Sequence, residues 1–194
     1  MKYVLFITLL ILIMQGCVSE SNRRERNNKM EVTKQKEETK PEVQEKPLIN
    51  VRYLFNLCND VESMRHFYSD LLGMKQQAFM NEKDFGYLCY NGDGVQLMFF
   101  YSGKPAPQLN EWAWQPGYDG GTLHVASWAI EIPEDKFAGV VMRLKKDSVK
   151  CFKNEPEWRQ DNYWGFSVMD PMGNTVEVYT VPKIKPTSKT WTGK

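Results

Sequence analysis

One order of elements occurs twice in this chain, and that repetition restricts the fold more than any other feature. From residue 49 the sequence reads as a strand, "INVRYLFNLC", followed by a helix, "VESMRHFYSDLLG". Asp60 stands where an N-cap belongs, Met64, Phe67, Tyr68, Leu71 and Leu72 fall at helical spacing, and Gly73 suits a left-handed C-cap. Three shorter strands follow, "KQQAFMNE", "GYLCYN" and "GVQLMFFY", the last two joined by the hairpin signal Asn91-Gly92-Asp93-Gly94. The order then restarts about 75 residues further on with "HVASWAIEI", and a helix "EDKFAGVVMRLKKD" places Phe137, Val140, Val141 and Leu144 on one face. Strands "VKCFKN", "YWGFSVMD" and "NTVEVYTV" complete the second unit, with Asp170 to Asn174 as a turn. The expectation is an α+β domain of paired βαβββ modules. Two curved mixed sheets, each covered on one face by its helix, would enclose a cleft, a natural seat for a ligand.

The repeat does not reach the N-terminus, which reads as an address. Lys2 precedes a run from Tyr3 to Met14, broken only by Thr8. At about 12 residues it is too short to cross a bilayer and has the length of a signal-peptide core. Gly16-Cys17 ends that run, and a small residue directly before Cys resembles the lipobox of bacterial lipoproteins. That resemblance implies cleavage before Cys17, acylation of its sulfur and new amino terminus, and anchoring on the exported side of a membrane. Residues 18–47 hold no aromatic residue and little else apolar, so burial cannot offset the entropy of ordering them; we expect a disordered charged tether. The folded domain is expected over 48–182, as module one (about 48–101), a linker or lid (102–123) and module two (124–182). A polar tail, 183–194, is expected to fray.

Charge and cysteines exclude several functions. Lys+Arg total 25 against 24 Asp+Glu, a net charge of +1, which offers no basic excess for nucleic acid. With Cys17 taken by lipid, Cys58, Cys89 and Cys151 remain, an odd number without metal spacing, best read as buried thiols. Any disulfide pairing among them is left open. Two His residues with no nucleophile at motif spacing make no triad, and "NGDG" is hairpin chemistry rather than a phosphate cradle.

Two segments carry a family resemblance. "DVESMRHFYSDLLGM" is similar to the signature after the first strand of the vicinal-oxygen-chelate superfamily, the glyoxalase/bleomycin-resistance fold. "DPMGNTVEVY" resembles that family's terminal hairpin. The resemblance covers about residues 48–182. It implies a cleft in which metal-dependent members place His on the first and fifth strands and Glu on the fourth and eighth, so that a divalent ion polarises substrate oxygens. Transferred to this chain, the first His position falls on Tyr53 and the second on Ser127. The fourth strand offers Gln96, Leu97 and Met98, and only Glu177 keeps a ligand. His124, three residues before Ser127, faces the other side of a regular strand unless a bulge turns it inward. Glu177 and His124 are thus the weak metal candidates. For Glu177 a structural pairing with a polar neighbour is the equal alternative.

The remaining candidates concern a ligand. Tyr53 and Phe55 alternate toward one face of the first strand with Leu57, and Trp158-Arg159, in the loop "NEPEWRQDN", could stack and pair with a planar or anionic molecule. Trp112, Trp114 and Tyr118 in the long linker suggest a lid hinged at Gly120-Gly121, or a plug over a sheet edge. Three readings follow. The first is a membrane-tethered module that sequesters a small, partly apolar or aromatic molecule through Tyr53, Phe55, Ser127, Trp158, Arg159 and Glu177. The second is a metal-dependent glyoxalase-type lyase or isomerase, and the third a structural domain whose cleft is self-filled. A homodimer is compatible with each.

Overall fold

A computed structural model describes residues 51–116 and 120–193. The expected signal segment, Cys17, the expected tether and Tyr118 lie outside the described residues. Two four-stranded mixed sheets appear. In module one, β1 (Tyr53–Leu57) is followed by α1 (Val61–Arg65) with a π-helical continuation (His66–Leu71), then β2 (Gln76–Asn81), β3 (Gly86–Gly92) and β4 (Val95–Tyr101). Module two has β5 (Trp128–Glu131), α2 (Glu134–Lys146), β6 (Glu157–Arg159), β7 (Tyr163–Met169) and β8 (Thr175–Thr180). The strand orders, β1-β4-β3-β2 and β5-β8-β7-β6, are the same pattern twice. In each sheet the first strand runs parallel to the fourth and the other neighbours are antiparallel.

Local chemistry explains the matching elements. The Asp60 carboxylate accepts from the Glu62 amide and caps α1. Gly73 takes φ +81 at that helix's end, and Asp93 and Gly94 both have positive φ, as a two-residue type I′ hairpin requires. The π-helical continuation, where the Leu72 amide donates to the Phe67 carbonyl, widens the turn that carries Phe67 and Tyr68 into the core. Tyr68 packs 4.7 Å from Phe99 and 5.7 Å from Tyr90, ring centre to ring centre, and its hydroxyl donates to Asp170 at 3.0 Å. Burial, then the charge of Asp170, hold that hydroxyl's pKa well above its ordinary value, so it remains the donor. Asp170 in turn accepts from the backbone amides of Met172 and Asn174. The two signature segments therefore meet at one buried hydrogen bond that joins the modules.

Module two departs from the sequence expectation in two places. Strand β5 begins at Trp128, not at residue 124, because Leu123 bridges to Ala113 of the linker while pairing with β8 starts only at Trp128 beside Val176. The expected strand over 149–154 is reduced to a Cys151–Val168 bridge, and the sixth strand is formed instead by Glu157–Arg159, within the segment expected as a loop. Tail 183–194, expected to fray, docks: Trp191 packs edge-on against Phe137 at 5.3 Å and Trp164 at 5.1 Å. Cys58, Cys89 and Cys151 are free thiols, the first two buried.

Candidate functional site

Register separates the faces of each sheet. In sheet one, Leu88, Tyr90, Leu97 and Phe99 turn toward α1 and are buried. The opposite face carries Tyr53, Phe55 and Leu57 from β1, Gln96, Met98 and Phe100 from β4, Tyr87 and Cys89 from β3, and Ala78 and Met80 from β2. No charged side chain is among them. The rings form one run: Tyr53 stacks on Phe55 at 5.6 Å, Phe55 lies 5.7 Å from Phe100, and Phe85 and Tyr87 flank Phe100, each at 6.4 Å. Phe55 is 64 % exposed and Leu57 56 %. Scattered exposed apolar residues are ordinary, whereas contiguous exposed apolar patches are characteristic of binding surfaces.

The centre of the corresponding face of sheet two is charged, buried and internally paired. Arg159 donates through Nη1 to Glu177 at 2.7 Å and to Ser167 Oγ at 3.0 Å, and through Nη2 to Glu157 at 2.9 Å. Arg159 is 3 % exposed and Glu177 7 %. Space for the pair comes from Gly165: a Cβ there would stand 2.6 Å from Glu177 Oε1 and 2.8 Å from Arg159 Cδ. Burial, then the charge of Glu177 and a hydrogen bond to it, push the Tyr163 hydroxyl up to about 12. At the far end of β8, the Ala113 amide of the linker donates to Thr175 Oγ1 at 2.8 Å.

The positions that hold a metal in chelating relatives do not fit one here. Tyr53 sits beside Gln96 across β1 and β4, as transferred from sequence, and neither supplies imidazole or carboxylate. The β5 partner of Glu177 is Ala129, which has no donor atom, while Ser127 lies just before the strand begins. His124 is exposed and outside β5, so no bulge turns it inward. Glu177 already carries a guanidinium, which an incoming cation would have to displace. Among the described residues no group of three or more His, Cys, Asp or Glu side chains is arranged to hold an ion.

Trp158 and Arg159 do not act together, because consecutive strand residues face opposite ways. The Trp158 ring packs edge-on against Trp164 at 5.3 Å and its indole donates to Asp161, while Arg159 turns to Glu177. Trp112 packs against Phe152 at 5.3 Å with Lys150 Nζ over its ring, and Trp114 remains 58 % exposed. The pair expected as a hinge serves close packing instead: a Cβ on Gly121 would lie 2.0 Å from the Ala113 carbonyl oxygen, and one on Gly120 2.5 Å from the Phe152 ring. Sequence reasoning missed Phe85, Tyr87 and Phe100 as members of the aromatic face and Gly165 as its counterpart's spacer. Alternation along β3 and β4, continued outward from Tyr53 and Phe55, was the signal for Tyr87 and Phe100; Phe85 precedes β3 and carries no such signal. A glycine inside an aromatic strand was the signal for the last.

The model of the Glyoxalase/Bleomycin resistance protein/Dioxygenase superfamily matches residues 53–178. No curated protein matches the chain. Among solved structures it is similar to a protein described as oxidase ChaP-H2, with 15 % identity, a TM-score of 0.50, and coverage of 70 % of this chain and 96 % of that one. It is also similar to a glyoxalase/dioxygenase from Nostoc punctiforme, with 16 % identity, a TM-score of 0.51, and coverage of 70 % and 93 %. These likenesses are likenesses of fold.

Proposed function

Since the chain belongs to the glyoxalase/bleomycin resistance protein/dioxygenase superfamily, we propose that it is a ligand-capturing member, one that seats a small, uncharged, ring-bearing molecule on the open face of sheet one without a metal ion. The observation that carries this reading is the aromatic run Tyr53–Phe55–Phe100–Tyr87, uncharged and open to solvent. Offset and edge-on ring contacts are each worth about 0.5–1.5 kcal/mol beyond simple burial, so several acting together give useful affinity. At one end of the face, Gln96, whose Oε1 lies 3.4 Å from the buried Cys89 Sγ, supplies an amide that can orient a hydroxyl or amide of the ligand. Lipid on Cys17 and the 18–47 tether would hold this domain at the exported face of a cell membrane, where it would meet molecules entering the envelope.

Sheet two favours a supporting role. Its one family-pattern carboxylate is committed to Arg159, and linker residue Ala113 is bonded to its β8 strand. N-phenylnaphthylamine, a neutral aromatic dye, tests the reading. Saturable one-site fluorescence enhancement is expected, weakened at least tenfold by Phe55→Asp. Equal binding by that variant would overturn the assignment to sheet one.

A further inference from the structure

A cavity of about 860 Å³ lies between the margin of sheet one and the β5–α2 segment. That volume falls within the range of small-molecule sites, about 300–1,000 Å³. Its apolar wall includes Leu54, Leu97, Trp128, Ile130, Ile132 and Val140. Leu54 is 43 % exposed although it neighbours Phe55 on β1; the two side chains face opposite sides of the sheet. Two cations of α2, Lys136 and Arg143, stand at its rim. They are two helical turns apart and so share a face. Arg143 is held in place by its Nε, which donates to the Leu71 carbonyl at 2.9 Å. Its terminal nitrogens lie beside Gly73 and Gly139, where even an added Cβ would make no more than ordinary contact with them, at 3.8 and 3.6 Å. No carboxylate forms an ion pair with Lys136 or Arg143 among the described residues. Asp93, at the hairpin tip, and Glu131, which accepts from the Tyr179 hydroxyl, also line the cavity but lie beyond ion-pair reach of both.

An anchored guanidinium with an open fork at the rim of an apolar trough suits one kind of occupant. We propose that this groove is a separate binding site for a medium-chain amphipathic carboxylate. The hydrocarbon lies along Leu54, Ile130 and Val140, and the carboxylate is taken in the planar fork of Arg143, with Lys136 adding attraction from the next turns. Planar bidentate geometry favours a carboxylate over a lone hydroxyl at Arg143. The site shares no lining residue with the aromatic run on the other face of sheet one. It stands independently of the function proposed above.

The test is calorimetric titration of the full-length protein with laurate and with dodecanol, both below concentrations at which they aggregate. Laurate is expected to bind one per chain and at least tenfold more tightly than dodecanol. Leu54→Asp should weaken laurate at least tenfold, Lys136→Glu should weaken it several-fold, and Phe55→Asp should leave it within twofold of wild type. Lys136 is exposed and makes no ion pair among the described residues, so its variant remains informative even if a change at Leu54 perturbs folding. Absent laurate binding, equal affinity for dodecanol, or loss of binding in Phe55→Asp with retention in Leu54→Asp would each overturn the proposal. N-phenylnaphthylamine binding by the same variants reports on the aromatic face separately. Self-association through this groove with no laurate uptake would also overturn it.

Discussion

Glu177→Gln is the most informative single substitution in sheet two. The change keeps the shape of the side chain and removes one charge from a pair in which both members are almost fully buried, Oε1 lying 2.7 Å from Arg159 Nη1. Breaking a buried pair from one side typically costs about 3–5 kcal/mol, because the remaining ion loses its compensation without regaining water. Here two features soften the loss: Glu157 still contacts Nη2 at 2.9 Å, and Ser167 still accepts from Nη1. Glu157 is 38 % exposed, so its attraction is partly screened by solvent. The expected loss is therefore about 3 kcal/mol, at the lower end of that range. For a domain of this size that lowers Tm by roughly 6–12 °C. Urea and thermal unfolding followed by circular dichroism would measure it. Replacing both partners, as Arg159→Met with Glu177→Leu, should return stability to within about 1 kcal/mol of wild type, since apolar substitutes need no compensation. A Glu177→Gln loss below about 1 kcal/mol would mean that the carboxylate is solvated and free to meet a ligand, and would refute the structural assignment.

Further outcomes can be checked with the same apparatus. Gly165→Ala should cost about 1–3 kcal/mol, the scale of overpacking, because the new Cβ would press on both Glu177 and Arg159. Phe55→Ala, at an exposed position, should change stability by no more than about 0.5 kcal/mol, whereas Phe99→Ala, fully buried, should cost about 3–5 kcal/mol in the same unfolding assay. His66 bridges Asp70 at 3.0 Å and Asp147 at 3.1 Å, which raise its pKa, the Asp70 bond being the larger cause and the Asp147 bond the next. Its contribution is then complete below the ordinary value of about 6.5 and is lost as pH rises through the higher folded value. Since the ring is exposed, the effect should be a few tenths of a kcal/mol, and His66→Gln should flatten stability across that window. Cys17→Ser should release the protein from membranes in a fractionation of cells that export it.

What could be read from the sequence follows the range of the interactions. Asp60, Gly73 and the Asp93-Gly94 hairpin act within a few residues, and each does what its residue type dictates. Repetition of those local units disclosed the paired modules, and the alternation of Tyr53, Phe55 and Leu57 disclosed one strip of the open face. Strand β5 was overestimated because its start is fixed by partners on other elements, Leu123 bridging to Ala113 and pairing with β8 beginning only at Trp128, to which alternation within β5 is blind. The sixth strand was misplaced for a similar reason: Glu157–Arg159 gains its order from Tyr163–Gly165, while the more apolar segment around Cys151 makes one bridge only. Glu177 illustrates the limit most clearly. A family pattern shows that a carboxylate occupies that place, but its partner, 18 residues away on another strand, determines its chemistry.

Native mass spectrometry of the purified full-length protein, before and after treatment with a chelator, bears most directly on whether the aromatic face binds its ligand without metal. We expect one small neutral molecule, or added N-phenylnaphthylamine, to be retained with unchanged occupancy after chelation and to be lost from Phe55→Asp. A stoichiometric divalent ion that leaves with the chelator, takes the ligand with it and is missing from Glu177→Gln would contradict the account.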